Sequence, residues 1–479
     1  MVVGLVGSTR SMGKPCTGGS DQQRCTGFST YLRDTQRSEM EVKGKLELIA
    51  ERAKQDRKAK FTSLVHLINE ESLAACYREL KKDKACGIDG VTVEAYGEHL
   101  EGKLKVLVEQ MKERRYRPKP VRRVYIPKPG KHGKRPLGIP SVEDKLVQLM
   151  VKKILEAIFE QEFLECSNWF RPGRGCHRAV DHLDKVVMTK PINYVVEVDI
   201  EKFFDTVRHY WLLRCIEERV ADPTFLWLIR KFLKAGIVEE GTWMTSDKGT
   251  PQGAVMSPLL ANIYLHYVLD LWFEKRFKPQ AEGYVQMIRY CDDFVVACES
   301  RGDAERFLAE LRERFAKYGL KVSEDKTTIV AFGRRTWERS KETKEKLQTF
   351  NFLGFTHYCT ASRRGKFIVG HKTSKQSLAC KLRETKEWVK KVRNMIILRE
   401  WWPVLKAKLV GHYNYFGISG NMRCLRQFYG QVVSMVFKWI NRRSQKKSMN
   451  WQHYQGYLKR YPLPRPKIYH SIYTLSPSR

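Results

Sequence analysis

Two adjacent aspartates, Asp292 and Asp293, stand in the stretch IRYCDDFVVACES (residues 288–300), among residues otherwise suited to burial. Val285, Met287 and Ile288 before them and Phe294, Val295 and Val296 after them predict two short strands, and aspartate is a common turn residue between strands. A pair differs from a lone turn residue. A desolvated, unpaired carboxylate costs several kcal/mol, and like charges side by side resist ionising together. A cation is therefore expected to compensate them, and hard oxygen ligands suit magnesium. A third carboxylate, Asp199, ends the alternating stretch NYVVEVD, about ninety residues upstream. Three carboxylates converging on one point can hold two magnesium ions roughly 3.5–4 Å apart for in-line phosphoryl transfer. Chain spacing alone leaves that convergence open, because an aspartate at a strand end is also a common cap or turn residue.

Composition narrows the partners. The chain has 479 residues, enough for two or more domains, and 88 Lys and Arg against 53 Asp and Glu give a formal charge of +35. Such an excess implies a polyanion, nucleic acid or an acidic membrane surface. No run of eighteen apolar residues occurs, and the opening MVVGLVG is too short for a signal-peptide core. A soluble, cytoplasmic, bacterial protein without a membrane partner is expected, which favours nucleic acid. The 12 cysteines include no C-x-x-C pair, so neither a zinc ribbon nor a redox motif is indicated, and they are expected to be reduced core residues.

The elements that must position these groups can be read along the chain. Residues 1–44 are rich in Gly, Ser, Thr and Arg and predict a poorly ordered tail. From Lys45 to about Tyr116 the apolar spacing is helical, broken by the turn CGIDG. RRVYIPKPGKHGKRPLGIPSVEDKLVQLMVKKIL predicts a basic hairpin followed by a long helix. NYVVEVD predicts a strand ending at Asp199, and DTVRHYWLLRCIEERV a helix with Asp205 as its N-cap.

The series YIPKPGKHGKRPLGIP, FRPGRG, VDIEKFFDTV, GTPQGAVMSPLLANIYLH, RYCDDFVV, GLKVSEDKT and FNFLGF follows the order of the reverse transcriptase blocks. From about residue 60 onward the chain resembles a group II intron reverse transcriptase, the intron-encoded maturase family. The resemblance implies an α+β, right-hand polymerase: tail 1–44, N-terminal extension and fingers 45–192, palm 193–365 with some fingers elements interleaved, and a helical thumb and maturase region, domain X, over 366–479. Asp199, Asp292 and Asp293 match the aspartates that hold two Mg2+ ions. Lys128 and Arg135 match residues embracing the nucleoside triphosphate, and Phe204 the position that excludes a ribose 2′ hydroxyl. Gln252 and Gly253 match the block lying against the incoming nucleotide and template, and Lys326 the candidate acid for the leaving pyrophosphate. Arg171 and Arg174 become candidate contacts to template or phosphate. The implied partners are group II intron RNA, an RNA template with a DNA primer, deoxynucleoside triphosphates and target DNA.

Departures from the family pattern are also legible. Cys291 stands where alanine is frequent and introduces a point of oxidation, and Cys176 and His177 follow FRPGRG. Neither the endonuclease of some members nor an RNase H domain is expected. From Lys381 to Arg479, 21 Lys and Arg face three acidic residues, interleaved with Trp388, Trp401, Trp402, Tyr413, Tyr415 and Trp439. Cations for phosphates and flat rings for bases suit an RNA-binding surface, with Arg423, Arg426, Arg442 and Arg443 as candidates, although more than half of those rings are expected in a helical core. LVGHYNYFGISGNMRCLRQF resembles domain X, which favours the intron family over CRISPR-associated and other bacterial reverse transcriptases. A maturase acting only as an RNA-binding splicing cofactor is the reading of a different class. Intact aspartates favour a polymerase.

Overall fold

Proline and glycine punctuate the basic hairpin, where β1 (Val121–Pro127) and β2 (Lys134–Ile139) run antiparallel with Ile126 opposite Arg135. The computed structural model describes residues 40–127, 133–244, 247–442 and 449–471. Lys128, Arg443 and the expected tail up to residue 39 lie outside the described residues. Residues 40–44, assigned to the tail from composition, are helical instead, within a helix over 40–55. Its C-terminal end is held by Arg219, a buried guanidinium that donates to the carbonyls of Ala53, Asp56 and Ala59 and pairs with Glu162.

The remaining strands are β3 (Tyr194–Asp199), β4 (Ile237–Glu239), β5 (Thr242–Met244), β6 (Val285–Tyr290), β7 (Asp293–Cys298), β8 (Thr328–Ala331), β9 (Phe350–Phe352), β10 (Phe355–Ala361) and β11 (Phe367–Thr373). They make three sheets, ordered β2-β1-β4-β5, β6-β7-β3-β8 and β11-β10-β9. With the helices between them, this is the α+β, polymerase-like architecture expected, and β4 and β5 join the basic hairpin in one sheet although they follow β3 in sequence. The expected boundary at 365/366 cuts the turn between β10 and β11, whose seven-residue register keeps them in one sheet. The helical region begins instead at Ser374, whose hydroxyl accepts from the Ser377 N–H to cap helix Lys375–Met395.

Asp205 is not an N-cap. It lies inside a short helical turn, Phe203–Thr206, and the next helix, His209–Glu217, starts after Arg208 without a side-chain cap. The physical cause is competition for backbone groups. The Gly249 N–H donates to the Val207 carbonyl (2.7 Å) and the His209 N–H to the Asp247 carbonyl (3.2 Å), so an extended pairing interrupts the helix that periodicity predicted.

The central sheet has two unlike faces. Val196, Val198, Phe294, Val296, Val285 and Met287 pack into a core shared with helices Val142–Phe159 and Ser257–Leu265. Val195, Val295, Ala297 and Ile288 face the second core, shared with helix Cys176–Thr189, the β9–β11 sheet and the C-terminal helices Leu398–Phe416, Met422–Ile440 and Trp451–Arg460. That second core takes in Trp401, Trp402, Tyr413 and Trp439, as expected for most of the C-terminal rings.

One buried ion pair crosses the first core. Arg289 on β6 and Asp270 are both fully buried, with Nη2 to Oδ2 at 2.5 Å and Nε to Oδ1 at 2.7 Å. Helix Ser257–Leu265 continues as a π turn, His266–Asp270, that carries the carboxylate. The guanidinium also donates to Ser167 Oγ (2.8 Å), Asn262 Oδ1 (3.2 Å) and the Cys291 carbonyl (3.3 Å). Arg289→Met is expected to destabilise the protein by about 3–5 kcal/mol, because it strands the Asp270 charge in the core. The double variant with Asp270→Leu is expected to recover most of that loss, as measured by chemical denaturation.

Candidate active site

Register brings the three aspartates together. Asp199, the last residue of β3, lies directly opposite Asp293, the first of β7, and opposed residues of an antiparallel pair project to one face. Tyr290 pairs with Asp293 to close the β6–β7 hairpin, leaving Cys291 and Asp292 as its two-residue turn. Cys291 adopts a left-handed φ of 61°, unusual for a residue with a side chain, and the Arg289 donor holds its carbonyl from below. Glu197, two residues before Asp199, shares the acidic face by strand alternation.

Crowding sets the electrostatics. Burial, then the charges of Asp292, Glu197 and Asp199, push the Asp293 carboxyl up to about 8, with the Leu353 backbone acting in the opposite sense. Asp292 is raised by burial and by Asp199, against its Cys291 and own-backbone hydrogen bonds and the charge of Arg135. Glu197 rises to about 7, mainly by burial. These are oxygen donors short of positive charge, which is the donor chemistry that magnesium fits. Lys326 meets Asp199 in an ion pair. The segment GLKVSEDKT brings it there, since the Ser323 N–H donates to the Asp199 carbonyl (2.9 Å) and Glu324–Lys326 forms one 3-10 turn.

A backbone seam joins β2 to the TPQG loop, residues 250–253. The Gly138 N–H on β2 donates to the Gln252 carbonyl (2.6 Å). A Cβ at Gly253, whose φ is +103°, would come within 2.8 Å of the Gly138 carbonyl, so TPQG needs its glycine for close approach. On the other side of the loop the Thr250 N–H donates to the Phe204 carbonyl (2.7 Å). Phe204 is half-buried, edge-on to Trp169 (6.3 Å between centroids) and to the fully buried Phe203 (5.4 Å). Arg135, exposed at the start of β2, is a cation whose field reaches Asp292.

Several expected contacts lie elsewhere. Arg171 is buried, with bonds to Glu160 and to the carbonyls of Leu164 (2.7 Å) and Ser167 (2.9 Å), so its donors are consumed inside the fold and it is no template contact. Arg174 is likewise drawn to Glu165 (2.6 Å) and the Glu165 and Ser167 carbonyls. Arg423 and Arg426 are exposed on helix Met422–Ile440, and Arg442 is exposed with its guanidinium 5.3 Å from the Trp439 ring. Cys291 is buried and its thiol is pushed well up by burial and Asp292, so it is held as an unreactive thiol, contrary to the oxidation expected of it. His177 donates to the Tyr415 carbonyl (2.7 Å) and stacks on His470 (3.5 Å), tying its helix to the C-terminal region. Sequence reading missed Glu197, which strand alternation could have found, and Asp270, which carries no local signal.

The family model described as reverse transcriptase (RNA-dependent DNA polymerase) matches residues 126–357. The chain is 27% identical over 466 residues to group II intron-encoded protein LtrA of Lactococcus lactis subsp. cremoris, covering 80% of this chain and 75% of that one. It is 33% identical to protein YkfC of Escherichia coli (strain K12), over 57% of this chain and 81% of that protein. A shorter match, 30% identical over 28% of this chain and 16% of the relative, is to nuclear intron maturase 4, mitochondrial, of Arabidopsis thaliana.

The raised carboxyl at Asp293 makes a pH prediction. An aspartate ordinarily ionises at 3.8, so between that value and about 8 the metal-free folded state keeps a proton that the unfolded chain has lost. Stability of the metal-free protein therefore falls as pH rises through this window, and Glu197 acts in the same sense up to about 7. Melting in chelator from about pH 5 to about pH 8 is expected to record that decline. Asp293→Asn should flatten it, and magnesium should offset it most at the alkaline end. Equal slopes for the two proteins would mean that Asp293 is ionised throughout.

Proposed function

The chain belongs to the reverse transcriptase (RNA-dependent DNA polymerase) family, among its group II intron-encoded members, and from that premise we propose that Asp199, Asp292 and Asp293 are the carboxylates at which it copies RNA into DNA. The observation that carries this reading is the opposition of Asp199 and Asp293 across β3 and β7, with Asp292 in the adjoining turn and Asp293 pushed up to about 8. Such a cluster favours divalent cations over solvent. Two magnesium ions held there would activate the primer 3′ hydroxyl and neutralise charge on the pyrophosphate.

The other residues act around that point. Arg135 brings fingers charge toward the nucleoside triphosphate, where a guanidinium suits phosphate oxygens, and Lys128 is proposed for the same task. Phe204 narrows the space beside the sugar and so favours deoxynucleotides. Gln252 and Gly253 supply a backbone shelf for the incoming base. Lys326, now paired with Asp199, would be the proton donor to the leaving pyrophosphate if that carboxylate were taken up by a metal ion.

Its nucleic acid partners include the RNA template, the DNA primer and the intron RNA whose splicing it assists, with target DNA met during mobility. The exposed Arg423, Arg426 and Arg442 support a phosphate-binding face on the C-terminal helices. No helix among the described residues is long and apolar enough to cross a membrane.

Primer extension on an RNA template tests the polymerase assignment. Asp292→Asn is expected to lower its rate by at least about a hundredfold, the order of effect of losing one charge-stabilising group, while RNA affinity stays nearly unchanged. Undiminished extension would remove Asp292 from the site. The RNA-binding face is tested by reversing the charge of Arg423, Arg426 and Arg442 together. Intron affinity should drop and its log-log salt dependence should flatten by up to roughly 0.7–0.9 for each phosphate no longer neutralised. Protein-assisted splicing should fall more than extension of a pre-annealed primer.

A further inference from the structure

On the same side of the central sheet as the acidic face, the β10–β11 hairpin and helix Cys176–Thr189 bring three titratable side chains into a dry core. His357 on β10 lies directly opposite His371 on β11, so both rings project to one face, 4.9 Å apart and near perpendicular. Asp184 joins them from the helix. It occupies a position on the apolar stripe formed with Val180, Leu183 and Val187, where a carboxylate is out of place unless something receives it. All three residues are buried, Asp184 and His357 completely.

The protein itself satisfies little of this cluster. His371 Nε2 lies 3.0 Å from Asp184 Oδ1, a single hydrogen bond. His357 Nδ1 is 3.9 Å from the same oxygen, too far for one. Nδ1 of His371 and Oδ2 of Asp184 have no hydrogen-bond partner, and neither ring nitrogen of His357 makes one of good geometry, the Phe352 backbone being its nearest polar neighbour on β9. Buried polar atoms without partners are rare in folded proteins and point to an unseen ligand. One ligand atom from each of the three residues can be chosen so that all lie within 4.8 Å of one another.

We propose that Asp184, His357 and His371 bind one first-row transition-metal ion of the zinc class, which clamps helix Cys176–Thr189 to the β10–β11 hairpin. Two imidazoles and one carboxylate suit zinc, cobalt or iron rather than magnesium, which takes oxygen. Coordination through His371 Nε2 would replace its hydrogen bond to Asp184 Oδ1. The clamp also bears on the polymerase face. Leu353 and Gly354, at φ 50° and 79°, form the two-residue turn between β9 and β10, and the Leu353 backbone meets Asp293.

The test is metal content and cobalt binding of the full chain. Protein purified without chelator and dialysed into magnesium buffer is expected to retain about one equivalent of zinc. Stripped protein should take up Co2+ with visible d–d absorption and melt at higher temperature with Zn2+ than without. Asp184→Asn and His371→Gln should lose that equivalent, whereas Asp292→Asn should keep it, which separates the site from the polymerase carboxylates. Wild-type protein that neither retains metal nor responds to Zn2+ or Co2+ would overturn the proposal, even if both variants fail to fold. Metal that persists in folded Asp184→Asn and His371→Gln would overturn it equally.

Discussion

The buried pair of Arg289 and Asp270 is the interaction on which the acidic face depends. Its guanidinium spans three elements, taking the carboxylate of the π turn, the Ser167 hydroxyl and the carbonyl of Cys291. The last bond matters most for chemistry, because Cys291 is the left-handed residue that turns β6 into β7 and so aims Asp292 and Asp293. A charge this deep is tolerated only with full pairing, so the arginine cannot shift without exposing Asp270. The hairpin is thereby fixed in register from the side opposite to the one that works.

On the working side the logic is reversed. Arg289 is satisfied and fixes structure, whereas Asp292, Asp293 and Glu197 are crowded and hold their protons more tightly than ordinary carboxylates. Lys326 relieves Asp199 alone. The sheet thus separates a neutralised core from a face of crowded carboxylates. Perturbed carboxylates cluster at functional sites, which is why this face is the candidate.

The C-terminal helices divide labour in a similar way. Trp401, Trp402 and Tyr413 are spent on the core, and Trp439 is buried but flanked by the cations of Lys390, Arg393 and Arg442 at 5.2, 4.6 and 5.3 Å. An aromatic ring under several positive side chains holds them in place without neutralising them. Of the three, Lys390 is also paired with Glu387, while Arg442 is exposed and keeps its charge toward solvent. Arg171 shows the opposite outcome, a cation of the same type consumed by Glu160 and backbone carbonyls.

What the sequence by itself determined follows from local pattern. Alternation predicted β3 with Asp199 at its end, apolar runs flanked the Asp292–Asp293 turn, Pro and Gly marked the basic hairpin, and the ordered blocks carried the resemblance to a polymerase family. Strand period and turn chemistry act over a few residues, so they are legible in one dimension. Tertiary structure decided the rest. Whether Asp205 capped a helix depended on backbone pairing with residues 247–249, and whether Arg171 faced solvent depended on Glu160. The opposition of Asp199 to Asp293 is a matter of register between strands distant in sequence, and the meeting of Asp184 with His357 and His371 joins residues up to 187 positions apart. Charge state and ligand geometry depend on distance in space, which local periodicity does not encode.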